Sequence, residues 1–173
     1  MKHTKLSIAV FAIIGLLILL ISSCKYGNVE GRFETEIYNK AKSTDGYVWF
    51  KYSAISLQKS AGSGHEQPLL KTRYNNVASA QLDSLGKIKT GAAFPEESMI
   101  VKELLDNSGN IEIYAVLYKN SKHPNADSKG WVWGYYNKDG TVRISSSLKG
   151  KDCNGCHTQS LNEDYMLMNK YYP

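Results

Sequence analysis

The chain has 173 residues and a net charge of +5 at pH 7. Residues 1–23 contain two lysines and no acidic residue, so the remaining chain of about 150 residues carries a charge of +3. This length suits one domain with a core that needs no disulfide bonds. The chain has no run of Lys or Arg and no basic helix face, which argues against a nucleic-acid partner.

The N-terminus has the pattern of an export signal. Two lysines precede an unbroken apolar run over residues 8–21, and no A-x-A cleavage site follows. The run ends in L-I-S-S-C at Cys24, which resembles a bacterial lipobox. The alternative is an uncleaved anchor helix, for which the apolar run is short. The sequence therefore predicts a lipoprotein signal peptide over residues 1–23, lipidation of Cys24, and a membrane-anchored protein on the periplasmic side.

The rest of the chain reads as a tether followed by one domain. Residues 24–44 form the tether and an N-terminal segment, and the domain covers residues 45–173. The patterns predict strands over 47–56, 98–105, 111–119, 130–136 and 141–145, a loop over 58–67, and helices over 71–85 and 149–157. The turn sequences N-S-G-N and N-K-D-G predict two antiparallel hairpins.

The strongest chemical signal is C-N-G-C-H at residues 153–157. C-x-x-C-H is the attachment signature of c-type haem, in which two thiols add to the haem vinyl groups and the histidine binds the iron. A redox dithiol, half a zinc site and a structural disulfide are the alternatives. The motif does not begin a βαβ pattern, and no further Cys or His lies at ligand spacing. The sequence thus favours one covalent haem c on Cys153 and Cys156, with His157 on the iron.

The position of the motif restricts the other side of the iron. Only sixteen residues follow His157, whereas a small helical cytochrome c has this motif near its N-terminus and a distal Met well downstream. Met166 and Met168 are too close in sequence to wrap around the iron, and packing on a haem edge is expected for them. Upstream residues must therefore build the distal side.

Four blocks, in order, resemble the cytochrome P460 family, which includes the hydroxylamine-oxidising cytochromes P460 and the gas-binding cytochromes c′-beta. The similar segments are Y-N-N-V-A at 74–78, F-P-E-E-S-M-I-V-K-E at 94–103, G-W-V-W-G-Y-Y at 130–136 and C-N-G-C-H-T at 153–158. With D-Y-M at 164–166 following the last block, the resemblance covers roughly residues 45–168. Glu97 stands where the family block has Gly, so a different turn is expected there.

The resemblance implies an α+β fold, with an antiparallel β-sheet, flanking helices and a C-terminal haem-binding helix. It also implies a homodimer, and an iron bound by His157 without a distal protein ligand. Phe94 in the matching block is implied to contact the haem on the distal side, with ordinary core packing as the alternative. Trp131 and Trp133 share one strand face and are expected in the core or the haem wall.

Three functions follow from the resemblance and remain open at this point. The first is a five-coordinate haem that binds a small ligand such as nitric oxide, and the second is a P460-like oxidoreductase acting on hydroxylamine or a related nitrogen compound. The third is an electron-transfer cytochrome with a redox partner protein and a sixth ligand such as His65 or a Met. Oxidation would accompany a lysine cross-linked to the haem, for which Lys59 and Lys71 lie in the expected region, and would need a base. The candidate bases are Glu66, Glu96 and Glu97.

Overall fold

The computed structural model describes residues 31–173, and its centre is a seven-stranded antiparallel sheet. Residues 37–173 form one compact unit, and residues 31–36 belong to a separate N-terminal unit. The strands are β1 (Tyr47–Trp49), β2 (Leu57–Gln58), β3 (Leu69–Asn75), β4 (Met99–Leu105), β5 (Ile111–Lys119), β6 (Trp131–Asn137) and β7 (Val142–Ile144). They are ordered β1-β3-β4-β5-β6-β7, and β2 pairs with β3 beside β1.

Short helices flank the sheet. Residues 31–42 are helical (α1), and the others are α2 (Asn76–Ser79), α3 (Asn154–His157) and α4 (Met168–Tyr171), with 3-10 turns at Phe50–Tyr52 and Ser146–Leu148. Within residues 31–173, none of the helices has the length and apolar composition that crossing a bilayer would require. The predicted α+β fold with an antiparallel sheet is confirmed.

Side chains alternate between the two faces of the sheet along each strand, and a different segment packs on each face. One cross-strand row reads Thr72, Lys102, Ala115, Tyr135 and Ile144, and it faces the C-terminal segment. The next row, on the opposite face, reads Lys71, Glu103, Tyr114 and Tyr136. On that second face the Tyr38 ring of α1 packs 6.0 Å from Tyr114 and 6.1 Å from Tyr136.

A buried arginine joins α1 to the second face. The Arg73 side chain has no exposed surface, and its guanidinium donates to the Glu103 carboxylate and to the backbone carbonyls of Ala41 and Ser43. Three aromatic rings surround it, with centroids 5.1, 5.4 and 6.0 Å from Cζ: Tyr47, Trp49 and Tyr114. The Arg73 and Glu103 charges therefore compensate each other, and Arg73 also satisfies the Ala41 carbonyl at the end of α1 and the Ser43 carbonyl just beyond it.

The predicted hairpins are confirmed, but the helix predicted over 71–85 is wrong. Residues 69–75 form β3, which pairs with β4 on one side and with β1 and β2 on the other. A helix begins only at Asn76, where the Asn75 side chain accepts the Ala78 N–H, and it ends after one turn. The strand predicted over 47–56 is also shorter, because the chain turns at Lys51 and Tyr52 with positive φ.

Candidate functional site

A cavity lies between the first sheet face and the C-terminal segment. Its volume accessible to water-sized molecules is about 50 Å³, within a wider space of about 590 Å³ that includes open solvent at its mouth. Its walls are mainly apolar, and its polar side chains are few. The residues that line it include His65, Lys102, Trp133, Tyr135, Cys153 and His157.

The C-x-x-C-H motif enters this cavity on a single helical turn. The Cys156 and His157 N–H groups both donate to the Cys153 carbonyl, at 3.2 and 3.1 Å, which brings the two thiols and the imidazole together. Gly150 starts the turn with φ +70°, and a Cβ there would lie 2.7 Å from the Trp133 indole. A glycine is therefore required where the motif segment meets the sheet.

One nitrogen of the His157 imidazole is hydrogen-bonded, and the other is free. Its Nδ1 lies 2.7 Å from the Tyr165 carbonyl, which fixes Nδ1 as the donor and leaves the Nε2 lone pair. The Trp133 ring packs edge-on against the imidazole at 5.1 Å. Burial, and then the charge of Lys102, lower the His157 pKa to about 4. A neutral imidazole with a free Nε2 is the form that binds a metal.

Asp164 fixes the turn that presents the Tyr165 carbonyl. Its carboxylate accepts the Trp131 Nε1–H at 3.0 Å and the Phe94 N–H at 3.1 Å, and it lies 3.4 Å from Lys119 Nζ. Asp164 and Tyr165 both have positive φ. The sheet therefore orients His157 through Asp164 and then the Tyr165 carbonyl.

His65 and Lys102 form a hydrogen-bonded chain with Tyr135 inside the cavity. Lys102 Nζ lies 3.4 Å from His65 Nε2, and His65 Nδ1 lies 2.7 Å from Tyr135 Oη. The His65 ring centroid is 6.5 Å from that of His157. Burial first, and then the charge of Lys102, lower the His65 pKa to about 2, so His65 is neutral. Burial also lowers the Lys102 pKa to about 8.

An open cleft adjoins the cavity at the motif. His65, Tyr135 and both motif cysteines line it together with Glu66 and Arg143. Arg143 donates to the Glu66 carboxylate at 3.0 Å, and both side chains are largely exposed. The cleft therefore connects the cavity with solvent through a charged mouth.

Cys153, Cys156 and His157 lie together on one helical turn, whereas Phe94 lies in the core. The Phe94 ring packs in the core, 6.4 Å from the Tyr74 ring and 5.8 Å from that of Trp131, and it is not among the described residues that line the cavity. Its distal role stays a prediction.

Most of the lysines and carboxylates that the sequence offers as candidates lie away from the cavity. Lys59 is exposed, and Lys71 lies on the second sheet face with Nζ 5.8 Å from the Trp49 ring. Glu96 accepts the Ser121 N–H and hydroxyl, outside the cavity. Glu97 has φ 68°, so the turn is left-handed even without the glycine of the family block. Of the three carboxylates, Glu66 reaches the cleft.

Lys102 is the cavity residue that the sequence interpretation missed. A signal existed, because Lys102 shares a strand face with the buried apolar residues Ile100 and Leu104. A lysine between two buried aliphatic neighbours on one face is unusual and suggests a functional position.

The side chains present fit a covalent haem. Cys153 and Cys156 are free thiols, an imidazole with a free nitrogen lies on the same turn, and the cavity behind them is apolar. Cys153 and Cys156 would form the thioether bonds and His157 would be the axial ligand. A haem bound here supplies an iron centre for ligand binding or redox chemistry.

Comparison with known proteins identifies one family. A family model described as Cytochrome P460 matches residues 51–168, which is more than half of the chain. No significant match was found among curated proteins, and none among solved structures.

Proposed function

Because the chain belongs to the cytochrome P460 family, we propose that it is an exported c-type cytochrome whose haem iron is five-coordinate and binds a small ligand such as nitric oxide. Membership of the family implies a haem cofactor. Cys153, Cys156 and His157 hold this haem, and the sixth position of the iron is left for the ligand.

The observation that carries this proposal is the state of the two imidazoles. His157 has a free Nε2, whereas both nitrogens of His65 are within hydrogen-bonding distance of Lys102 or Tyr135. A sixth ligand from His65 would have to give up one of these contacts in a largely apolar site, where lost hydrogen bonds are costly. An open sixth position is therefore favoured.

The optical spectrum of the reduced haem protein tests this proposal. A high-spin ferrous spectrum that changes on addition of carbon monoxide or nitric oxide is expected, and His65→Ala should leave the resting spectrum unchanged. A low-spin ferrous spectrum that becomes high-spin only in His65→Ala would contradict it. That result would identify His65 as the sixth ligand and favour electron transfer to a redox partner protein.

A second function is favoured by Lys102. Cytochromes P460 that oxidise hydroxylamine carry a lysine cross-linked to the haem, and Lys102 is the lysine that lines the cavity. Lys102 would then replace Lys59 and Lys71 as the candidate for the cross-link, and Glu66 at the adjoining cleft would be the candidate proton acceptor, because His65 has its pKa lowered to about 2. The protein in this case is an oxidoreductase acting on hydroxylamine or a related compound.

The mass of the haem peptide distinguishes the two functions. A cross-link adds the Lys102 peptide to the peptide that carries Cys153 and Cys156, and it shifts the reduced Soret band far to the red. Lys102→Met should abolish both signals, and Lys71→Met, on the opposite face, serves as the matched control. A normal haem peptide and no hydroxylamine oxidation would refute the second function.

Localisation and assembly complete the proposal. Cys24 and the signal peptide lie outside the described residues, and the lipobox pattern supports a mature protein anchored to a membrane by a lipid on Cys24. The family resemblance supports a homodimer, which sedimentation of the haem protein lacking the anchor tests directly. A monomer at micromolar concentration would contradict it.

A further inference from the structure

We propose that this cavity, besides a neutral ligand such as nitric oxide, binds small inorganic anions, of which nitrite is an example, and that Lys102 is the residue that determines anion binding. The inference rests on the proposed function, because it adds a second chemical class to the ligands of the haem iron. Nitrite has a lone pair for a metal and oxygen atoms that accept hydrogen bonds, so it could bind a haem iron and accept a hydrogen bond from Lys102.

The charge of the cavity is the first reason. Lys102 is the one lysine or arginine among the described residues that line the cavity, and no carboxylate is among them. The ion pairs of the described chain lie elsewhere, at Arg73, Lys119 and Arg143. Even with its pKa lowered to about 8, Lys102 is mostly protonated at pH 7. A largely desolvated ammonium without a carboxylate favours an anionic ligand.

The hydrogen bonds of the ammonium are the second reason. A protonated Lys102 has three N–H donors, and the partner that the structure gives it within residues 31–173 is His65 Nε2. This contact makes Nε2 the acceptor and Nδ1–H the donor to Tyr135 Oη. Two donors of Lys102 therefore remain for a ligand, and a charge-assisted hydrogen bond is among the stronger kinds.

The position of Lys102 is the third reason. The residue lies in the middle of β4, paired with Thr72 on one side and Ala115 on the other, so its backbone is fixed between two strands. The carboxylates of a haem would compete for this ammonium. Arg143, which pairs with Glu66 at the exposed mouth of the adjoining cleft, would offer them a cation in contact with water.

Ligand titration of the ferric and ferrous haem protein tests the inference. The wild type, Lys102→Met, Lys102→Arg and the control Lys71→Met are titrated with nitrite and azide in the ferric state and with carbon monoxide in the ferrous state. Loss of a hydrogen bond to a charged donor predicts that Lys102→Met weakens nitrite and azide binding about 10- to 100-fold. Carbon monoxide is neutral and a poor acceptor, so its affinity should change less than about threefold.

The charge-preserving variant separates a role in binding from a role in packing. Lys102→Arg keeps a cation and should retain more of the anion affinity than Lys102→Met, and Lys71→Met should match the wild type. Equal loss of nitrite and carbon monoxide binding in Lys102→Met, or no loss of either, would overturn the inference.

Failure of the inference differs from failure of the proposed function. A five-coordinate covalent haem that binds carbon monoxide, with nitrite affinity unchanged in Lys102→Met, overturns the role of Lys102 in anion binding alone. A chain without covalent haem, or with a low-spin ferrous iron, overturns the proposed function. A haem peptide that carries the Lys102 peptide overturns the inference in favour of the cross-linked oxidoreductase.

Discussion

Replacing Glu103 by Leu should destabilise the domain strongly without disturbing the haem site. The substitution leaves the Arg73 guanidinium charged in a site with no exposed surface, and an uncompensated buried charge of this kind costs about 3–5 kcal/mol. The carbonyls of Ala41 and Ser43 still accept hydrogen bonds from Arg73, so the lower end, about 3 kcal/mol, is expected. For a domain of this size the melting temperature should fall by roughly 6–12 °C.

Urea unfolding followed by tryptophan fluorescence measures this loss, and the Soret spectrum of the folded variant should match that of the wild type. The double variant Arg73→Met with Glu103→Leu should recover most of the stability, because apolar side chains of similar volume can replace a buried pair. Glu66→Gln breaks the exposed pair with Arg143 and should cost at most about 1 kcal/mol. A loss below about 1 kcal/mol for Glu103→Leu would show that the buried charge is not costly. A double variant as unstable as the single variants Arg73→Met and Glu103→Leu combined would show that the two side chains do not interact.

The remaining predictions concern the cofactor, the anchor, the core and the cavity charge. Cys153→Ala with Cys156→Ala should abolish haem staining on a denaturing gel, and a wild-type band without haem after expression with the attachment machinery would end the haem assignment. Cys24→Ser should remove a diacylglycerol mass from the mature N-terminus, and a wild-type start at another residue would favour the uncleaved anchor. Phe94→Ala should cost about 3–5 kcal/mol in urea unfolding, because its ring is buried in the core, and a loss below 1 kcal/mol would place the ring outside it. Burial lowers the Lys102 pKa from 10.5 to about 8, so the unfolded chain binds more protons between these values. The free energy of unfolding of the wild type should therefore rise relative to Lys102→Met as pH increases from 8 to 10, and a flat or falling difference would contradict this.

The parts of the fold that could be predicted are those encoded locally. The hairpin of β4 and β5 follows from two apolar runs around N-S-G-N, and Asp106 accepts the Ser108 and Asn110 N–H groups in that turn. The prediction of a helix over 71–85 failed because residues 71–75 belong to β3, which is paired with strands on both sides. That pairing depends on β4, whose residues lie some thirty positions away in sequence.

In the candidate site, too, only the residues that are close in sequence could be predicted. Cys153, Cys156 and His157 are adjacent in sequence, so their chemistry is readable from their spacing alone. His65 reaches the cavity from a loop with no periodic pattern, and its partners Lys102 and Tyr135 come from two separate strands. The strand register places Lys102 and Tyr135 in one row, and the loop adds His65. Which residues of distant strands pair is not visible in a local sequence pattern.

All seven strands precede the C-x-x-C-H motif in the chain, and this order separates the assembly of the scaffold from the attachment of its cofactor. A polypeptide made from its N-terminus completes the last strand at Ile144 before Cys153 is available. The acceptor for His157 comes later still, because Tyr165 depends on Asp164 contacting a sheet that already exists. We therefore expect the His157 imidazole to reach its final orientation only after the sheet has formed, since the contacts that hold it come from that sheet.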